Sequence, residues 1–158
     1  MTSETLFSSQ SFEHETPKWL FDKLNELFLF EVDVCSTHEN AKCQKHYTIE
    51  DNGLDCDWGK VAWCNPPYGK NISEWVKKAC EHSKDGGVVV MLLPSRTDTI
   101  WFQKYVYNHS FVCFIKGRLK FGGVKKDAPF PSTIAVYSNK LTTQQYDYLA
   151  SIGTIKNI

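Results

Sequence analysis

The chain has 158 residues, 42% of them hydrophobic, which is enough for one domain with its own core and too many for a disordered tail. Its 18 basic and 18 acidic residues cancel, so no global field draws it to nucleic acid or to a membrane surface. No apolar run is long enough to span a bilayer. The first residues lack the basic and apolar regions of a signal peptide, so a reducing, cytoplasmic setting is expected. Six cysteines include no C-x-x-C pair. Cys64, Cys80 and Cys113 lie in apolar segments and read as buried thiols. For Cys35, Cys43 and Cys56 a zinc site ranks below reduced thiols, and no metal is expected.

Residues 1–15 are polar, with Phe7 and Phe12 as apolar anchors. Thr16-Pro17 has the form of a helix start, Thr16 as cap and Pro17 as first helical residue. Trp19, Leu20, Leu24, Leu27 and Phe28 then share one face at helical spacing. Phe30 to Val34 reads as a short strand with Asp33 near its end. His46 to Ile49 reads as a brief strand, and Glu50 to Trp58 as a loop with four acids. Val61 to Cys64 is a buried strand, halted by Pro66-Pro67, which supply no N–H to a ladder. Ile72, Trp75, Val76, Ala79 and Cys80 mark an amphipathic helix, closed by Asp85-Gly86-Gly87.

Gly87 to Leu93 is apolar throughout, as a strand covered on both faces would be. Thr97 or Asp98 is expected to cap a helix carrying Ile100, Trp101, Tyr105 and Val106. Phe111 to Ile115 and Ser132 to Tyr137 are strands with a Gly- and Lys-rich loop but no helix between them, hence antiparallel neighbours. From Leu141 a short helix and a frayed end are expected. The alternation predicts a single α/β domain over residues 1–158. Its sheet is expected to be mostly parallel, with an antiparallel strand near the C-terminus.

The stretch with the sharpest chemistry is Asn65-Pro66-Pro67-Tyr68. It forms a stiff turn at the carboxyl end of a strand, where ligands collect in open α/β sheets. An exocyclic amine on a ring or carbonyl is a poor nucleophile because its lone pair is delocalised. Accepting its two N–H groups makes the nitrogen more tetrahedral. The Asn65 side-chain oxygen can take one N–H and the Pro66 carbonyl the other. Tyr68 offers a face for a planar group. A carboxylate at position 65 would be expected to serve equally. Read blandly, the tetrapeptide is an ordinary turn.

The wider context favours the chemical reading. Glu15-Thr16-Pro17, Glu31 to Ser36, Asn40 to Cys43, Asp51 to Leu54, Trp63 to Gly69, Leu93 to Thr99, Gly117 to Gly122 and Ala128 to Ser132 occur in this order. Together they resemble the compact bacteriophage-type DNA adenine N6-methyltransferases, the Dam-like family, over most of the chain. The resemblance implies a Rossmann-like fold using S-adenosylmethionine, with Asn65, Pro66, Pro67 and Tyr68 as the catalytic motif. It implies cofactor contacts from Thr16, Pro17, Asp33, Cys35, Asn40 and Asn65. It also implies double-stranded DNA as partner, with GATC the family's usual site, and no separate target-recognition domain. The Gly-x-Gly common after the first strand of the wider superfamily is absent; Cys35 to Asn40 stands there.

Read from the residues themselves, Asp33 at a strand end could hold the cofactor's ammonium group. Asp51, Asp55 and Asp57 compete for its ribose. Lys116, Arg118, Lys120, Lys125 and Lys126 form the one basic cluster, and Arg96 follows the central strand. These are the expected phosphate contacts, against a solvated hairpin tip. Two rival functions stand beside DNA methylation. One is methylation of another planar amine, on protein glutamine or an RNA base. The other is a catalytically silent nucleic-acid-binding module.

Overall fold

The computed structural model describes residues 14–122 and 126–157, so Phe7, Phe12 and Lys125 lie outside the described residues. Six strands form one sheet: β1 (Val32–Asp33), β2 (Val61–Cys64), β3 (Val88–Pro94), β4 (Phe111–Ile115), β5 (Ser132–Tyr137) and β6 (Gly153–Asn157). Their spatial order is β1-β2-β3-β5-β4-β6. The helices are α1 (Lys18–Phe28), α2 (Ile72–Lys84) and α3 (Thr143–Ile152), with a π-helical turn over Phe102–Val106. β3 and β5 are the central pair. All residues of β5 are buried, and β3 is buried from Val89 to Pro94.

The class is α/β as expected, but the sheet is mixed. β1–β2 and β2–β3 pair in parallel. β3–β5, β5–β4 and β4–β6 are antiparallel. Two features shift the balance from mostly parallel. β5 inserts between β3 and β4, so its reversed direction makes two antiparallel ladders instead of one. The segment expected to fray instead returns after α3 as β6. Gly153 permits this, because a Cβ there would meet the Phe114 carbonyl oxygen at 2.2 Å.

Two helix starts differ from expectation. Pro17 caps α1, and its carbonyl accepts the N–H groups of Leu20 and Phe21. Thr16 is not the cap, because its hydroxyl is engaged by Asn65. Ahead of the π-helical turn, the Thr99 hydroxyl accepts the Phe102 N–H, the role assigned to Thr97 or Asp98. The helix after it is short, and Ile100 points outward, 82% exposed.

Because β1, β2 and β3 run parallel, their carboxyl ends share one edge of the sheet. Asp33, Asn65 and Ser95-Arg96 therefore sit on the same rim. The loop before β2 is held against α2. The Trp58 indole donates to the Gly53 carbonyl, and Lys78 donates to the carbonyls of Leu54 and Cys56.

Candidate active site

Asn65 follows the last residue of β2, and the buried Pro66 and Pro67 stiffen what comes next. Its Nδ2 donates to the His14 carbonyl at 2.6 Å and to Thr16 Oγ1 at 3.0 Å. The His14 carbonyl settles which way the amide faces, since only the nitrogen can donate to it. The other end of the amide, Oδ1, is buried and has no hydrogen-bond partner among the described residues. A buried acceptor left this way costs about 1–3 kcal/mol. The fold thus holds an oriented, buried acceptor at the end of β2.

Tyr68 lies beside it, buried, with its hydroxyl donating to the Leu92 carbonyl at 3.0 Å. That bond anchors the ring from the β3 side. Three more rings gather there. His14 stacks on Tyr68 at 4.9 Å between centroids and 27° between planes. Phe130 stands edge-on at 5.6 Å, and Phe121 at 6.3 Å. The Arg96 guanidinium lies over the Phe130 ring at 6.0 Å.

A narrow cleft beside Asn65 is lined by Glu15, Thr16, Asp33, Cys35, Asn40, Lys42, Trp63 and Asn65. Asp33 is only 2% exposed. Its two carboxylate oxygens accept the backbone N–H groups of Cys35 and Lys42 at 3.2 and 2.9 Å. Burial pushes its carboxyl up to about 7, and the two N–H bonds oppose that rise. Asp33 is therefore no solvated loop acid; it closes the loop from Cys35 to Lys42 over the strand end. Burial also raises the Cys35 and Cys64 thiols well above the usual range.

Of the residues expected at a cofactor site, Thr16, Asp33, Cys35, Asn40 and Asn65 line this cleft, while Pro17 does not and is the α1 cap. Asp51, Asp55 and Asp57 do not line it. Asp51 accepts the Thr48 N–H, Asp55 takes a bond from Asn52, and Asp57 takes the Gly59 N–H. The second acid of the cleft is Glu15, paired with Lys42 at 3.1 Å. Among the described residues, no group of three or more His, Cys, Asp or Glu side chains is placed to share a metal ion.

The basic residues fall into two sets. Arg96 is on the rim itself. Lys116, Arg118, Lys120 and Lys126 are exposed on the loop joining β4 to β5. Lys120 lies 4.0 Å from Asp127, and Arg118 reaches the Ala128 carbonyl at 3.5 Å. The loop is more than a solvated tip. Leu119, Phe121 and Ala128 are buried beneath it, and it carries Phe121 and Phe130 to the Tyr68 ring.

Glu15 belongs to the Glu-Thr-Pro segment that the family resemblance places near the cofactor, and it lines the cleft. The residues that sequence reasoning passed over are His14, Lys42, Phe121 and Phe130. Phe121 and Phe130 fall inside the family-like segments Gly117 to Gly122 and Ala128 to Ser132, so a signal for them existed. Nothing in the sequence singles out His14.

The family model for DNA N-6-adenine-methyltransferase (Dam) matches residues 3–147. The chain belongs to the Dam family. Within it, the chain is 32% identical over 103 residues to the DNA N-6-adenine-methyltransferase of Haemophilus phage HP1 (strain HP1c1). That match covers 63% of this chain and 60% of the relative. It is 35% identical over 92 residues to the Escherichia phage T1 protein of the same name, covering 57% of this chain and 38% of that relative. This Dam-family chain thus spans only part of the length of both phage relatives.

Proposed function

We propose that the protein is an S-adenosylmethionine-dependent DNA adenine N6-methyltransferase with a Rossmann-like site at the carboxyl edge of β1, β2 and β3. The observation that carries this is the Asn65 Oδ1 atom: buried, oriented and without a partner, beside an anchored Tyr68 ring. Such an atom suits an amine N–H. A base amine donates to it, and the lone pair of the amine nitrogen is freed from the ring as that bond forms. Tyr68, Phe121 and Phe130 form a ring cluster that would wall a slot for a planar base. The base must leave the duplex to reach it, and aromatic walls replace the stacking it gives up.

The donor set of the neighbouring cleft fits the methyl donor. Asp33, Glu15 and Asn40 would hold the ammonium and hydroxyl groups of S-adenosylmethionine, and Thr16 and Cys35 would line it. When bound, S-adenosylmethionine supplies an electrophilic methyl group on a sulfonium. Asn65 lines the cleft and shares one turn with Tyr68, so it would link cleft and slot. No strong base is required of the chain, since the methylated ammonium sheds its proton readily. Arg96, Arg118, Lys120 and Lys126 would meet phosphates around the slot. The test is transfer of labelled methyl from S-adenosylmethionine to DNA, RNA and protein in parallel. Label in DNA alone is expected; label only in protein or RNA would move the chain to the rival class of planar-amine methyltransferases.

A further inference from the structure

A planar ring already occupies the face of Tyr68. The His14 imidazole stacks there at 4.9 Å and 27°, with Phe121 edge-on at 5.2 Å and Phe130 at 5.6 Å. All three walls of the slot therefore touch one histidine. The same residue's carbonyl accepts from Asn65 Nδ2. His14 belongs to a short strap, residues 14–16, tied on both sides of the site. The Glu15 carbonyl accepts the Gly122 N–H at 2.8 Å, and the Glu15 carboxylate pairs with Lys42 across the cleft.

We propose that His14 is an internal stand-in for the target base, filling the stacking place on Tyr68 until a base displaces it. The inference rests on the reading of Asn65 and Tyr68 as the planar-amine site. Its physical ground is that an empty slot with three aromatic walls would be either a void or wet apolar surface, both unfavourable. An imidazole satisfies the rings, yet it is smaller than a purine and covers less of them. A base can therefore outcompete it. The occupied slot lowers the fraction of protein ready for a base, so apparent affinity falls by that fraction. The carbonyl of residue 14 holds the Asn65 amide whatever the side chain. Removing the ring thus opens the slot without disturbing the acceptor.

The test is steady-state methylation of a long mixed-sequence duplex by wild type, His14→Ala and His14→Trp, with Asn65→Ala as a control. His14→Ala is expected to raise kcat/KM for DNA about threefold to tenfold, chiefly through KM, which is the gain when a slot open roughly a tenth to a third of the time becomes always open. His14→Trp, a larger plug, is expected to lower it. An unchanged or reduced kcat/KM in His14→Ala would overturn the proposal, the latter by making the ring part of the bound pocket. A second measurement needs no variant that folds. The histidine ring signals of the wild-type protein are followed by NMR, with S-adenosylhomocysteine and the duplex added. The ring-current-shielded His14 signal should move to the position of an exposed histidine, and its staying in place would equally overturn the proposal. Full methylation by Asn65→Ala would instead sink the parent reading, so the two failures are distinguishable.

Discussion

At the scale of single residues, the two ends of the Asn65 amide do different jobs. Oδ1 is buried and without a hydrogen-bond partner among the described residues, and Nδ2 is the anchor. Asn65→Ala should lower the single-turnover methylation rate by ~10²–10³, the usual effect of removing one preorganised hydrogen bond. A circular-dichroism spectrum should show the fold retained. The sequence alone suggests that Asn65→Asp would be harmless. The structure reverses that, because the second carboxylate oxygen would face the His14 carbonyl, now 2.6 Å from Nδ2. Two acceptors with no proton between them repel. Asn65→Asp should therefore turn over about tenfold or more slowly at neutral pH, on the order of the 1–3 kcal/mol of an unmade bond. Stopped-flow turnover of the aspartate variant checks this, and wild-type rates would contradict it.

Asp33 gives a pH signature. Its carboxyl titrates near 7 in the fold against an ordinary 3.8, with burial the largest cause. Between about pH 4 and 7 the folded chain keeps a proton that the unfolded chain has released. Stability from this group is thus fully present below about pH 4 and is lost as pH rises through 7. The full span corresponds to about 4 kcal/mol as an upper bound. Thermal melts should show wild type losing stability from pH 5 to pH 8 more steeply than Asp33→Asn. A cationic ligand beside Asp33 favours the charged carboxylate. Calorimetry should therefore find S-adenosylhomocysteine bound more tightly at pH 8 than at pH 6, and equal affinity would detach Asp33 from the ligand's ammonium group.

At the scale of elements, legibility followed pattern strength. β2, β4 and β5 were readable to the residue because continuous apolar runs end in Pro, Gly or charge. β6 was not, since Gly-Thr-Ile-Lys-Asn has the composition of a tail, and only the close approach of Gly153 to Phe114 reveals why it pairs. Gly153→Ala should unzip β6 and cost about 1–3 kcal/mol in a urea melt. The Asn65–Tyr68 turn was legible as a strand stop because Pro66-Pro67 offers no N–H to a ladder. The rings that complete the slot were not, because ring contacts between residues 14, 68, 121 and 130 are a product of folding. The β4–β5 loop shows the same division. Its basic residues are plain in the sequence, whereas its buried underside is not. Replacing Lys120 and Lys126 with Ala should flatten the salt dependence of DNA affinity, on all sequences alike. The slope should change by roughly one for each phosphate no longer neutralised. Filter binding across a salt series measures that slope, and an unaltered slope would leave phosphate binding to Arg96 and Arg118.

At the scale of the whole molecule, a neutral chain is organised by polarity of direction more than by charge. Three parallel strands deliver Asp33, Asn65 and Arg96 to one rim. The antiparallel half of the sheet supplies the loop that roofs the aromatic slot. The cleft that holds the buried Asp33 carboxylate is lined by Asn65, and the ring cluster forms around Tyr68 in the same turn. The most direct measurement is mass spectrometry of nucleosides from duplex DNA incubated with S-adenosylmethionine and the protein. The account predicts N6-methyladenine from wild type, with the yield nearly abolished by Asn65→Ala at matched protein concentration. N6-methyladenine formed equally by both proteins, or methylation confined to cytosine, would contradict it.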